Sequence, residues 1–323
     1  MYPPTQVLKF LKGLGCGERK TFFKKFSFPH TSPQIKVMTI QWFPGHMTKA
    51  MRMMQDNVKL VDAIGYVLDA RAPAACINPG FEQIVGNKPC VFILNKCDLA
   101  DPAKVAAWCD YFAGQGQTVV KVTATASKEA AKIVDGFVGA TAHITARNKA
   151  KGVFKPVRCM IVGVPNCGKS TIINCLSGRK AVITGDKPGV TKGKQWVRLA
   201  NGLELLDTPG TLWSKFEDET VARRLCFVGS IKDDVVDIEE VAFALITELA
   251  AQYPTLLQQR YSLGDIDGKT AQEVFALIAA KRGFLLRGGE PDYERCAKAM
   301  LDDFRKGKIG RITFDTPPNT TKR

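Results

Sequence analysis

The sequence predicts an α/β domain built on a six-stranded, mainly parallel sheet, followed by a smaller all-α domain. Three observations predict it. The chain has 323 residues, about two domains at roughly 150 residues each. Between residues 39 and about 215, short apolar runs bounded by turn residues alternate with helical stretches, the pattern of a parallel sheet with helices on both faces. From 216 to 323 no strand stands out, and the apolar spacing is helical.

The strands, in order, are Ala63–Leu68, the very apolar Cys90–Leu94, Thr118–Val122, Val157–Val162, Gln195–Leu199 and Leu203–Leu206. Residues 145–156 (TARNKAKGVFKP) read as a basic linker inside this first domain. In the second domain Glu217–Phe227, Ile238–Gln252, Ala271–Ile278 and Tyr293–Phe304 read as amphipathic helices. Pro254, Gly264, Gly268, Gly283 and Gly288-Gly289 punctuate them. In a parallel sheet of this kind the ligand site gathers at the carboxyl ends of the strands.

Composition narrows the class. Hydrophobic residues at 45% and charged residues at 24% are those of a folded globular chain. No apolar run reaches the roughly 18–20 residues that cross a bilayer, so no integral membrane association is expected. Ten cysteines without a C-x-x-C pair are too sparse for a disulfide scaffold or structural zinc and read as reduced core thiols. Lys and Arg number 46 against 31 Asp and Glu, a net +15, which favours a polyanionic partner. Residues 1–38 hold Lys9, Lys12, Arg19, Lys20, Lys24, Lys25 and Lys36 against the single acid Glu18. They form a basic extension expected to be disordered, and an over-extended gene start, an organellar transit peptide or an RNA-binding arm would fit the same composition.

Four motifs carry chemistry. Gly163-Val164-Pro165-Asn166-Cys167-Gly168-Lys169-Ser170 matches G-x-x-x-x-G-K-[ST] directly after an apolar strand and before the helix Thr171–Leu176. The backbone N–H groups from Asn166 through Thr171, with Cys167 and Gly168 between, would wrap phosphates; Lys169 would reach the β/γ oxygens and Ser170 would ligate Mg²⁺. Asp207-Thr208-Pro209-Gly210 ends a strand thirty-eight residues beyond Lys169. Its carboxylate can hold the Mg²⁺ hydration shell and the Gly210 N–H can meet a γ-phosphate. Asn95-Lys96-Cys97-Asp98 ends another strand. A carboxylate there accepts the N1–H and exocyclic amine of guanine, a donor pair that adenine lacks, so Asp98 points to GTP over ATP. Thr191, between the phosphate-loop helix and the next strand, would complete the Mg²⁺ shell and sense the γ-phosphate.

These residues resemble the translation-factor-related GTPases, a P-loop GTPase domain, but in rearranged order. The guanine motif precedes the phosphate loop and DTPG comes last, which reads as a circular permutation with the old termini joined through 145–156. Trp42-Phe43-Pro44-Gly45-His46-Met47, Asp69-Ala70-Arg71-Ala72-Pro73, the TGDKPG stretch 184–189 and Leu206–Gly210 followed by Trp213 resemble the YlqF/RbgA family of ribosome-assembly GTPases. The likeness runs from about Thr39 to the C-terminus.

The resemblance implies hydrolysis of GTP to GDP late in assembly of the large ribosomal subunit, stimulated by that particle, with a helical domain on its rRNA. It implies His46 as the residue that orients the attacking water, because Thr211 stands where a glutamine serves other GTPases. It implies a potassium ion at Asn166. The Ser-Ala-Lys base contact of such proteins is blurred here, and Thr123 and Ala124 occupy its position. The domains are then 1–38, 39–215 (nucleotide) and 216–323 (helical, RNA- or ribosome-binding). The cytoplasm is the expected location, or a mitochondrial or plastid matrix if 1–38 is a transit peptide. The alternative is a GTP-responsive rRNA-binding scaffold with negligible hydrolysis; a P-loop ATPase or kinase is disfavoured by Asp98.

Overall fold

The computed structural model describes residues 45–81, 85–178, 182, 195–199, 202–213, 216 and 218–318, apart from the side chains of 45–50, 127 and 195. The expectations for residues 1–38 and for Thr191 fall outside them.

The six strands form one sheet: β1 (Ala63–Asp69), β2 (Cys90–Asn95), β3 (Thr118–Lys121), β4 (Val157–Val162), β5 (Gln195–Arg198) and β6 (Leu203–Asp207). Their spatial order is β3-β2-β1-β4-β6-β5. All neighbours are parallel except β5, which pairs antiparallel with β6 at the edge. Strand order reverses between β1 and β4, the switch point where such sheets bind ligands. Counted from β4 as the first strand, the same sheet reads 2-3-1-4-5-6, so the permuted motif order leaves the sheet intact.

Helices cover both faces. Every residue of β1 is buried, as a central parallel strand requires. On one face α3 (Ala130–Ala150) comes so close that a Cβ on Gly65 would sit 2.7 Å from the Phe137 ring. On the other, Phe92 stacks on Phe112 of α2 (Pro102–Gly114) at 4.4 Å, beside the fully buried Trp108. The first turn of α2 is set locally: Asp101 accepts from the N–H groups of Ala103 and Lys104, with Pro102 following it. The connection read as linker 145–156 is partly helix, because α3 continues through Ala150.

The remaining helices are α1 (Gly45–Val58), α4 (Lys169–Ser177), α5 (Glu219–Phe227), α6 (Ile238–Gln252), α7 (Pro254–Tyr261), α8 (Ala271–Arg282) and α9 (Tyr293–Arg305). Asp218, Asp237, Thr270 and Asp292 cap α5, α6, α8 and α9. α7 was not expected. Pro254 reads as a breaker, but at a helix's first position its missing N–H costs nothing.

After α9 the chain returns to the sheet. Ile312 N–H donates to Leu99 O and Phe314 N–H to Arg71 O, while Thr313 Oγ1 bridges Asp101 N–H and Ala70 O. The Phe314 ring lies between Phe227 and Phe304 at 5.2 and 5.3 Å. Asp315 follows, 2% exposed, with Arg224 of α5 at 3.9 Å. Burial pushes its carboxyl up from 3.8 to about 6, against the pull of Arg224. Ionising it in the folded state is therefore disfavoured. Its contribution to stability is whole below about pH 4 and is lost as pH rises through about 6. Asp315→Asn should raise stability at pH 7.5 by about 1–3 kcal/mol and flatten that pH dependence, read from urea midpoints at pH 4.5 and 7.5.

The nine described cysteines are free thiols. Burial pushes Cys90, Cys226 and Cys296 up to about 12, which makes them poor nucleophiles.

Candidate functional site

The strand register brings the motif loops to one edge. Asp69 pairs with Asn95 across β1 and β2, and Ile161 with Asp207 across β4 and β6. The phosphate loop, the NKCD loop, the DARAP turn and the DTPG turn thus leave the sheet side by side at its carboxyl end.

The phosphate loop turns into α4 through Gly168, whose φ of +100° is open to glycine. A Cβ there would collide with the Asn95 amide. That amide ties the loops together: its Nδ2 donates to Cys167 O at 2.8 Å and its Oδ1 accepts from Ala124 N–H at 3.1 Å. One side chain thereby joins the guanine motif, the phosphate loop and the Thr123–Ala124 position. Thr123 O in turn accepts from Ala126 N–H, a tight turn beneath α4.

Ser170 Oγ donates to Asp207 Oδ2 at 3.1 Å, and Asp207 is fully buried. A hydroxyl and a carboxylate side by side at a helix N-terminus are hard oxygen donors of the kind Mg²⁺ takes, one or two from the protein and the rest from phosphates and water. The pair fits a Mg²⁺ ion that protein and substrate oxygens would share. The Lys169 ammonium donates to Gly163 O at 3.1 Å and Val164 O at 2.9 Å, inside the loop. Gly210 lies against that loop; a Cβ on it would stand 2.6 Å from Pro165 Cα. Thr211 N–H donates to Gly163 O at 3.3 Å and its side chain is buried. Thr171 sits in the first turn of α4. Asp98 is exposed beyond β2, on a turn held by Leu99 N–H to Lys96 O. His46 lies in the first turn of α1, its side chain outside the described residues.

Several contacts here gave no signal in the sequence. Asp69 is 1% exposed and takes a bidentate pair from Arg71 (2.8 and 2.7 Å) and an ion pair from Lys96 (2.9 Å). Burial works to raise its pKa, but the Arg71 and Lys96 cations overcome this and hold the carboxyl well below the usual carboxylate range. Lys96 also donates to Asn166 O at 2.6 Å. Lys96 and Asn166 both have positive φ, +63° and +59°, a strain of about 1–3 kcal/mol each that surrounding contacts must hold. The Asn166 amide donates to Gly229 O at 2.7 Å and Ser230 Oγ to Pro165 O at 2.7 Å, so the end of α5 grips the phosphate loop. Arg71 reaches the other way, to Arg305 O at 3.2 Å, with its guanidinium over the Phe304 ring. Arg305 closes the circuit by donating to Cys226 O and Phe227 O. The sequence marked Asp69 and Arg71 only as part of the segment 69–73 that carries the family resemblance, and Lys96 and Asn166 only as nucleotide or cation contacts; none of these pairings could be read from it.

Residues 158–272 match the model of a family described as 50S ribosome-binding GTPase. The chain is 45% identical over 87% of its length, and 98% of the relative's, to Ribosome biogenesis GTPase A of Priestia megaterium. It is 31% identical to Mitochondrial ribosome-associated GTPase 1 of Bos taurus, over 85% of this chain and 88% of that one. Among solved structures, GNP-bound YlqF from T. maritima superimposes with a TM-score of 0.57 at 30% identity, covering 83% of this chain and 98% of that chain. A GDP-bound YlqF structure gives 0.60, covering 82% and 99%. With this extent of likeness over a permuted GTPase sheet, the chain belongs to the ribosome biogenesis GTPase A (YlqF/RbgA) family, GTP-binding and GTP-hydrolysing proteins of ribosome assembly.

Proposed function

We propose that this protein binds GTP with Mg²⁺ at the carboxyl edge of its sheet and hydrolyses it to GDP and phosphate on a late large-subunit precursor. The observation that carries the reading is the direct contact of three sequence-distant loops: Asn95 with Cys167, Ser170 with Asp207, and Gly210 against Pro165. In this reading Asp98 selects guanine, and Asn95, Lys96, Thr123 and Ala124 shape the base side. Backbone groups from Asn166 to Thr171 take the phosphates and Lys169 neutralises their oxygens. Ser170 and Asp207 hold Mg²⁺ with Thr191, and Mg²⁺ when bound spreads the charge developing on the phosphates. Asn166, whose amide is already oriented by Gly229 O, would offer its oxygen to K⁺.

Residues 39–215 would do this chemistry and 216–323 would meet rRNA, with 1–38 as a basic extension. The net +15 suits an RNA partner, and its excess lies in residues 1–215, with 30 basic against 13 acidic side chains, whereas 216–323 carries 16 against 18. Among the described residues no helix is long and apolar enough to cross a membrane. The higher identity to a bacterial than to a mitochondrial relative supports the cytoplasm as the place of action.

His46 is assigned to orient the attacking water. An imidazole can accept or donate a proton near neutral pH, which suits the task. His46→Ala should lower particle-stimulated turnover about 10²–10⁴-fold and leave labelled-GDP affinity unchanged. Stimulated turnover untouched by that change would remove His46 from the mechanism. A parent chain that large subunits do not stimulate would favour the scaffold reading.

A further inference from the structure

From residue 136 to residue 185 the chain carries no acidic side chain. Within that interval, the last turn of α3 and its connection to β4 present Arg147, Lys149, Lys151, Lys155 and Arg158, all exposed. Phe154 stands in their midst, 87% exposed, beside the half-exposed Val153. Arg198, at the adjacent end of β5, adds a sixth cation. Two carboxylates answer them: Asp62 pairs with Lys155 at 3.4 Å, and Glu204 pairs with Arg158 at 2.9 Å and Arg198 at 2.8 Å. Among the described residues no ion pair engages Arg147, Lys149 or Lys151.

The patch lies at the amino ends of β1, β4 and β6. The nucleotide loops leave the opposite ends. Six residues of β4 separate the two, roughly 20 Å of strand. Substrate phosphates therefore do not explain these cations.

A ring held in water among cations is the arrangement that binds single-stranded nucleic acid: cations track the phosphates and the aromatic face stacks a base. A membrane surface would instead ask for a broad apolar stripe along a helix. Here Val138 is the exposed large apolar residue of α3, sixteen residues before Phe154. We propose that this edge is an RNA-binding surface separate from the helical domain. It would take a single-stranded or looped segment, with a base on Phe154 and phosphates on Arg147, Lys149, Lys151 and Lys155. The proposal rests on the ribosome-assembly reading only for RNA as the partner.

The test is fluorescence anisotropy of a labelled uridine 20-mer on the full chain across a salt series. Phe154→Ala should weaken binding about tenfold with little change of salt slope. The triple change Lys149→Ala, Lys151→Ala, Lys155→Ala should reduce the slope of log affinity against log salt by about 2. Labelled-GDP affinity, read in parallel, should match the parent and reports an intact fold. A helical-domain variant, Arg282→Ala with Arg287→Ala, should leave the Phe154 effect in place. Parent-like RNA binding by both patch variants with intact GDP binding overturns the proposal. So does an effect confined to phosphatidylserine vesicles. A parent that ignores the 20-mer also overturns it, while the nucleotide-site reading is judged separately through His46.

Discussion

Asp98→Asn should lower affinity for GDP and GTP about 10⁴-fold and turn preference toward xanthine nucleotides. A carboxylate meets the N1–H and exocyclic amine of guanine with two acceptors. An amide brings a donor to one of those positions, and a site built for particular donors rejects the mismatched base by factors of this size. The fold is not at stake in the exchange. Asp98 is exposed, and its turn is held from below by backbone bonds and by Arg311, which donates to Cys97 O at 3.0 Å and Ala100 O at 3.1 Å. Stability should stay within about 0.5 kcal/mol of the parent. Paired titrations with labelled GDP and its xanthosine counterpart measure the switch. An unchanged preference would mean that the NKCD loop does not read the base.

The second large effect is on stability. Asp69→Ala would leave the buried guanidinium of Arg71 and the ammonium of Lys96 without their common counter-charge. Removing one member of a buried ion pair costs about 3–5 kcal/mol. The loss should show as a lower urea midpoint at unchanged slope. GDP affinity should fall as well, because Lys96 reaches Asn166 O from the position that Asp69 gives it. A combined Asp69→Ala, Arg71→Leu variant should recover part of the stability, since the worst-stranded cation leaves with its partner. A loss under 1 kcal/mol for Asp69→Ala alone would show that this pair is not a structural centre.

The sheet was legible because its signal is local. A run such as Cys90–Leu94 between turn residues has few ways to be anything but a buried strand, and Asp237 followed by an apolar helix names its own first turn. The phosphate, DTPG and NKCD motifs were legible because their chemistry needs fixed spacing within a few residues. What stayed hidden depends on packing between distant segments. Nothing near Asn166 says that Gly229, sixty-three residues on, will accept from its amide. Nothing near Thr313 says that its hydroxyl will bridge the turns after β1 and β2. Pro254 misled for a related reason: its ring forbids a helix interior but suits a helix start, and the sequence alone left that choice open.

The return of residues 312–315 to the turns beyond β1 and β2 has a consequence for how the protein comes into being. During synthesis β1, β2 and β3 precede β4, which pairs with β1, and residues 312–315, whose Asp315 O accepts from the Trp108 indole and whose Phe314 N–H donates to Arg71 O, follow every strand of the sheet. The early half of the chain must wait, partly uncovered, for the late half to arrive. A nascent chain stalled between α9 and Ile312 would hold every strand of the sheet yet leave the turns after β1 and β2 without the backbone partners that Ile312 and Phe314 supply, open there to proteolysis and misassociation.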